Sequence, residues 1–456
     1  MHIFNKRGFS GVVALLSVTL LLSCEKFLEV KPTDALLADN AVSDAKTARA
    51  LVNSGYTALK AYHIRSGLNL AILPGDNVFF AGSQSQHIEL DNHAFTVTNS
   101  AIVSAYAANY TLINTANWAI TEIPKVQDDA FLEGEQDKLV GEAYFFRASA
   151  YFNLVRSWGG VQLQLHPTTD LESLGDIPRS SAADTYAQIF SDLQLAESLL
   201  PTDEPVTRNK VQRTVVQAFR AKVALYAGDF ETAEAMASTV IDQTGYKLLE
   251  DYSEFFQTPF LTAESIFELS ATSTNPGTNP NLWLPASGTP RGSYEFRPTT
   301  EIVSLLNDPD KGGSRKDLLQ TREDDVYVGL YHTVTPNINP AYLIRVADLY
   351  LIRAEARLRK ASPDFVGAVA DLNRVRARAG AALYPAGETD AGELLHAIWD
   401  ERRLEFAFES DRWYDLVRTE QAGDVLGIDR DFWLFPIPQT DLLADPALNK
   451  TNNPGY

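Results

Sequence analysis

Large aromatic side chains sit in two segments whose remaining residues are those of turns. Pro74-Gly75-Asp76-Asn77-Val78-Phe79-Phe80-Ala81-Gly82-Ser83 holds two adjacent phenylalanines, and residues 270–299, dominated by Ser, Thr, Asn, Pro and Gly, hold Trp283, Tyr294 and Phe296. Irregular segments this long inside a folded chain are functional or disordered. Disordered segments are poor in aromatics, so the composition predicts ordered binding loops. Trp283 is the leading candidate for an open ring, because an indole flanked by Asn-Leu and Leu-Pro is costly to leave without a partner. The alternative for each ring is packing within its own loop.

Other chemistry is less supported. His87-x-Glu89-x-Asp91-x-His93 alternates four possible metal ligands as a strand would place them on one face, which sets no metal distances; a polar strand or loop is the expectation. Asp308-x-Asp310-x-Gly312 begins like a calcium loop but has Leu319 where the bidentate glutamate belongs. With 59 acidic residues, carboxylate pairs arise at many spacings by chance, so no glycosidase dyad can be argued. The chain has no Gly-x-Ser-x-Gly, phosphate loop or His-Glu-x-x-His motif, and the expectation is a protein without catalysis, cofactor or metal.

The elements that must position these loops are helical. In 215–243, Val216, Phe219, Val223 and Tyr226 form one apolar stripe, and Phe230, Ala233, Ala237, Val240 and Ile241 form another. Gly228 can end the first helix in the left-handed conformation, and Asp229 can cap the second. With Ala218, Ala221, Ala233 and Ala237 keeping the backbones close, the unit resembles a tetratricopeptide (TPR) hairpin, which buries its faces only by stacking on others. Phe146-Arg147-Ala148 and Ile352-Arg353-Ala354 echo Phe219-Arg220-Ala221. The fold class expected is therefore mainly α: TPR-like hairpins at about 137–200, 215–243 and 340–380, as a scaffold with long irregular insertions. Further helices are expected at 44–62 and 100–123, and a long charged one at 393–419. In the last, Glu401, Glu405 and Glu409 repel at four-residue spacing, as do Asp411 and Asp415, so arginines must come from elsewhere, with Arg147, Arg220 and Arg353 as candidates. The prolines of 435–456 predict an extended tail.

The formal charge is −20, and −22 once residues 1–23, with Lys6 and Arg7 and no acid, are removed. Nucleic acid would be repelled. Lys6-Arg7 precede an apolar run at 12–22, too short to span a bilayer but suited to an export signal. Leu21-Leu22-Ser23-Cys24 then matches the lipobox of bacterial lipoproteins, and Cys24 is the only cysteine. The expectation is a signal peptide at 1–23, a lipidated tether at 24–40 and one domain over 41–456, held to a membrane by acyl chains on Cys24.

Four separated motifs carry a family likeness: the lipobox followed by Phe27-Leu28; Arg147-Ala148 with Trp158-Gly159-Gly160-Val161; Glu401-Arg402-Arg403-x-Glu405-Phe406-x-Phe408-Glu409 continuing to Arg412-x-x-Asp415-Leu416; and Pro436-Ile437-Pro438 with Asn453-Pro454-Gly455-Tyr456. Together they resemble the SusD/RagB family, with departures at Asn452 and at Thr440-Asp441. The resemblance implies a non-enzymatic lipoprotein on the outer face of an outer membrane, capping a SusC-like TonB-dependent transporter and delivering oligosaccharides to it. It also implies that the ligand face lies in the irregular segments. Sugar recognition needs flat rings and planar polar groups, so Phe79, Phe80, Trp283, Tyr294 and Phe296 are the candidates for stacking and Asp76, Asn77 and Asn281 for hydrogen bonding. The alternative is a tethered TPR scaffold that captures protein or peptide.

Overall fold

In the computed structural model, which describes residues 42–169, 177–243, 245–448 and 451–456, the predicted hairpins form. The first part of the chain supplies helices Ala45–His63 (α1) and Ser66–Ile72 (α2), strand Val78–Phe80 (β1), and helices Ser85–Asp91 (α3), Ser100–Glu122 (α4), Glu135–Trp158 (α5) and Ala182–Leu199 (α6). Next come helices Arg213–Ala227 (α7) and Phe230–Ile241 (α8), and strands Ser265–Leu269 (β2) and Phe296–Pro298 (β3). Helix Thr300–Asn307 (α9) and strands Leu319–Arg322 (β4), Asp325–Val328 (β5) and Ala341–Arg345 (β6) follow. The last part is helical: Val346–Arg359 (α10), Phe365–Ala379 (α11), Ala391–Glu405 (α12), Arg412–Arg418 (α13), Ala422–Leu426 (α14) and Gln439–Ala444 (α15). The leader, Cys24 and the tether lie outside the described residues. Among the described residues no helix is long and apolar enough to cross a membrane.

The TPR-like pairs are α5 with α6, α7 with α8, and α10 with α11, and α8 packs on α10 to join the last two. Gly228 takes a left-handed φ of 77° between α7 and α8, and the Asp229 carboxylate accepts from the Thr232 amide. The sequence echo between the hairpins is also a structural one. Arg147 on α5 grips Asp192 on α6 through Nε at 2.9 Å and Nη2 at 2.7 Å. Arg353 on α10 grips Asp371 on α11 the same way, at 2.8 and 2.7 Å. A planar guanidinium bonding both carboxylate oxygens fixes the relative rotation of the two helices.

The predicted 393–419 helix is two helices, α12 and α13, separated by residues 406–411. The break sits between two buried ionic clusters. On one side Arg345 reaches Glu264, Glu405 and Glu409 at 2.5, 3.0 and 2.7 Å. Arg315 binds Glu405 at 2.9 Å and also Glu401, Arg376 binds Glu401 at 2.6 Å, and Arg378 binds Glu264 and Glu405 at 2.7 and 2.5 Å. On the other side Arg402 joins Asp348 and Asp415 at 2.7 and 2.8 Å, Lys222 joins Asp411 at 2.8 Å, and Arg418 joins Glu355 and Asp415 at 2.7 Å each. A continuous helix would stack Glu401, Glu405 and Glu409 along one face and Asp411 beside Asp415; the turn separates the glutamate cluster from the aspartate one, so that each meets a different set of cations. Arginines do come from elsewhere, but they are Arg315, Arg345, Arg376 and Arg378. Of the three expected, Arg147 and Arg353 serve their own hairpins, and Arg220 pairs with Glu197.

The carboxyl terminus packs largely without helix, apart from α15 and a short 3-10 turn. The Asn453 amide donates to the Trp158 and Phe435 carbonyls at 3.1 and 2.7 Å, tying the tail to the end of α5.

Candidate ligand cleft

The two aromatic segments meet. β1 pairs antiparallel with β3, Phe79 opposite Arg297 and Phe80 opposite Phe296. Alternation along a strand sends neighbours to opposite faces. Phe80 and Phe296 therefore turn inward, while Phe79 is 40% exposed.

Most of the predicted ligand residues hold this ribbon in place. Trp283, expected on an open face, is 0% exposed. Its ring lies 5.2 Å from Phe296, 5.3 Å from Tyr331 and 6.3 Å from Phe408, making an aromatic core under the loop. The loop closes over it because Gly292 has no side chain: a Cβ there would stand 2.4 Å from the Leu284 carbonyl oxygen. Phe80 is buried against His87 and Phe296, at 5.0 and 5.9 Å. Tyr294 is buried with its hydroxyl donating to the Val326 carbonyl at 2.6 Å, and its ring carries the Arg297 guanidinium at 4.2 Å.

The two polar candidates beside β1 are anchors as well. Asp76 accepts from Arg412 Nε and Nη2 at 2.7 and 2.9 Å and pairs with Arg403 at 2.9 Å. Burial alone would raise the Asp76 carboxyl, but Arg412 and Arg403 outweigh it and hold it below the usual range. Asn77 is buried, donating to the Ala407 carbonyl at 2.9 Å and accepting from Arg403 Nε at 2.9 Å. Both residues thus bolt the ribbon to α12 and the segments around α13, and their side chains are turned to the scaffold. Asn281 remains exposed, its carbonyl accepting from the Ser293 amide at 2.7 Å. Of the eight loop residues, Phe79 and Asn281 are the two that face solvent.

Beside the ribbon lies a cleft that sequence reasoning missed. Two depressions of about 320 and 380 Å³ share Arg65 and Asn69, at the junction of α1 and α2. One wall is the loop 276–282, including Asn279 and Leu282, with Asn337; the other is Gln86 and His87 on α3 with the start of α4. The loop wall is held by backbone pairing. The Gly277 and Thr278 backbone amides donate to the Asn337 and Asn339 carbonyls at 3.3 and 3.0 Å, and the Asn337 and Asn339 side-chain amides donate back to the Gly277 and Thr278 carbonyls at 3.2 Å each. Gly277 permits this, since a Cβ there would stand 1.7 Å from the Asn339 oxygen. The other wall is held by Asn99, which caps α4 and donates to the Gln86 carbonyl at 3.0 Å.

His87 links cleft to ribbon: its Nε2 is 3.0 Å from Asn69 Nδ2, and its ring lies 6.0 Å from Phe296. Burial lowers its pKa, against the Glu295 carboxylate, so it is neutral at pH 7. The segment around it is helix α3 rather than the expected polar strand or loop, and its would-be ligands diverge: the Glu89 carboxylate accepts from Thr96 and Asn99 at 2.9 and 2.8 Å, while His93 turns to the Pro74 carbonyl at 2.8 Å. Among the described residues no cluster of three metal-ligating side chains forms. Asp308, the first residue of the calcium-like motif, takes the amides of its own turn. Larger depressions, of about 560 Å³ beside Tyr384 and Asp400 and about 610 Å³ beside Phe260 and Ile338, include none of the predicted residues.

Comparison with known proteins places this arrangement. Residues 26–225 match the family model described as starch-binding, associating with the outer membrane, and residues 327–429 match the model of the SusD family. The chain belongs to the SusD/RagB family. Its relatives include SusD-like protein P2 of Formosa agariphila, 25% identical over 99% of this chain and 100% of that one. SusD-like protein P38 of the same organism is 27% identical over 96% and 97%. Among solved structures, a laminarin-binding SusD-like protein superposes with a TM-score of 0.77 at 25% identity, covering 91% of this chain and all of the other. A SusD superfamily protein from Bacteroides vulgatus, at 22% identity and a TM-score of 0.80 over 90% of this chain and 99% of that one, shares the fold. The helical hairpins with their long irregular insertions are thus those of SusD-like proteins.

Proposed function

We propose that this SusD-like protein captures oligosaccharides at the cell surface and passes them to a SusC-type TonB-dependent transporter, making and breaking no bonds. The observation that carries the reading is the cleft at Arg65 and Asn69. Its lining carries four side-chain amides. Asn337 is engaged at both ends by Gly277 and Asn339, Asn279 accepts from the Asn281 amide, and Asn69 donates to His87. Gln86 has no side-chain hydrogen-bond partner among the described residues and offers the donor and acceptor that a sugar hydroxyl requires. The exposed Phe79 ring offers a flat surface for a pyranose C–H face on the adjoining ribbon. The proposed ligand set is Arg65, Asn69, Gln86 and Asn279 from the cleft, with Phe79 and Asn281, which are exposed but outside its lining, as the predicted residues open to a longer ligand. The family description and the laminarin-binding relative, both concerned with carbohydrate, support the same reading. Acylation of Cys24 would hold the protein at the outer membrane, with its folded body in water.

Affinity electrophoresis against a polysaccharide panel tests the capture reading. Retarded migration in at least one gel is expected; retention by none, with binding to a peptide or protein partner instead, would replace it. That second reading, a scaffold for protein partners, draws on one observation, the burial of Trp283 away from any ligand. Membrane association of the Cys24→Ser variant tests the anchor. Release into the soluble fraction is expected, and retention at the wild-type level defeats it.

A further inference from the structure

We propose that the captured saccharide bears an acidic group, a carboxylate or a sulfate ester, and that Arg65 and His87 receive it; this rests on the cleft being the glycan site. Arg65 and His87 line the same depression, and among the described residues no Asp or Glu lines either half of the cleft. Arg65 has neither an ion-pair nor a side-chain hydrogen-bond partner among the described residues, in a chain with 59 acids to 39 bases. Elsewhere Arg147, Arg315, Arg345, Arg353, Arg402 and Arg418 all have carboxylate partners. Acid is abundant, and this cleft is kept clear of it.

His87 supplies a second unmatched donor. With the Asn69 amide donating to Nε2 at 3.0 Å, the neutral ring carries its proton on Nδ1, and Nδ1 is buried without a partner among the described residues. A buried donor without an acceptor calls for an explanation. A sugar hydroxyl brings a donor along with its acceptors, whereas a carboxylate or sulfate brings acceptors alone and matches the planar fork of an arginine. Among the described residues the acid acting on His87 is Glu295, which is outside the cleft lining. With the chain at −20, retention of an anionic polymer would have to come from local contacts, since the overall field opposes it.

The test is affinity electrophoresis of the purified full chain in gels of laminarin and xylan as neutral polymers, polygalacturonate and alginate as carboxylates, and carrageenan and fucoidan as sulfates. Retention by a member of the acidic groups is expected, and which group retains it identifies the anion. Arg65→Gln should weaken that retention at least about tenfold, the loss of one charge-assisted contact, with the thermal midpoint unchanged and Arg65→Lys restoring part of it. Neutral gels that retain wild type and Arg65→Gln equally would overturn the acidic-ligand proposal while leaving glycan capture standing. Retention in none of the gels would overturn both.

Discussion

Arginine behaves oppositely in two parts of this molecule. Around α12 and α13 every guanidinium is buried and engaged by carboxylates from other elements, so that Arg345 alone ties β6 to Glu264, Glu405 and Glu409. In the cleft Arg65 is exposed and has no carboxylate partner among the described residues. The buried clusters leave no valence for a ligand and lock the helices; the void among Lys222, Asp348 and Asp411 is about 30 Å³, room for one water at most. The cleft is the reverse: beside a loop wall pinned by its own hydrogen bonds, Arg65 and Gln86 present polar groups with no side-chain partner among the described residues. Pairing state thus separates scaffold from site more sharply than residue type does, since Asp76 and Asn77 look like ligand residues by type and belong to the scaffold by pairing.

The largest effect should come from breaking the scaffold. Arg345→Ala leaves three carboxylates facing one another without their shared cation, and removing one member of a buried ionic cluster costs about 3–5 kcal/mol. Denaturant unfolding checks this; a change under about 1 kcal/mol would mean that the cluster relaxes into water and that the contrast with the cleft is unreal. Trp283→Ala comes next, at about 3 kcal/mol, because it empties the aromatic core beneath the ribbon. A variant of normal stability that has lost glycan retention would return Trp283 to the ligand face.

A pH titration of the thermal midpoint sharpens the comparison further. Burial raises Glu405 and Asp415, but Arg378, Arg315 and Arg345 around the first, and Arg402 and Arg418 around the second, bring each down to about 2. A carboxyl depressed by folding contributes stability above its unfolded pKa, about 4, and loses it as pH falls toward 2. Glu409 runs the other way: burial, opposed by Arg345, leaves it raised to about 7, and Glu142 and Glu268 are likewise pushed up to about 7 by burial. Their contribution is full below about 4.5 and is lost as pH rises through 7. The midpoint should therefore peak between about pH 4.5 and 6 and fall on both sides. A midpoint rising steadily from pH 5 to 8 would show the three raised carboxyls to be ionised at no cost.

How much of this was legible in the residues follows from the range of the forces involved. Hairpins are local: the stripe at Val216, Phe219, Val223 and Tyr226 and the Gly228-Asp229 turn need only neighbours a few positions away, and α7 and α8 fall within the predicted 215–243 unit to within two residues of its start. The repulsive spacing of Glu401, Glu405 and Glu409 announced that arginines were needed, but Arg315 and Arg345 lie 60 to 90 positions away and no periodicity names them. Trp283 was misjudged because its cover is tertiary: Tyr331 and Phe408 come from segments 48 and 125 residues downstream. The cleft was illegible for the same reason, since Arg65, His87 and Asn279 are joined only by the packing of α2, α3 and the loop. His87 alone stands out in sequence, as part of an alternating motif whose expected form is a polar strand or loop.

The smallest expected effect on stability is at the cleft side, and it is the one that most directly tests the contrast. Phe79 is the ribbon's outward ring, and replacing an exposed residue away from buried networks changes stability by about 0.5 kcal/mol or less. A ring that stacks on a sugar contributes to binding instead, on the order of 1 kcal/mol, so Phe79→Ala should leave the thermal midpoint in place while weakening glycan retention about fivefold. Phe80→Ala, one position along the same strand but facing Phe296, should do the opposite, lowering the midpoint. If both variants lost stability and neither lost retention specifically, the alternation of the ribbon would carry no functional division, and the ligand would have to be held by the amide-lined cleft alone.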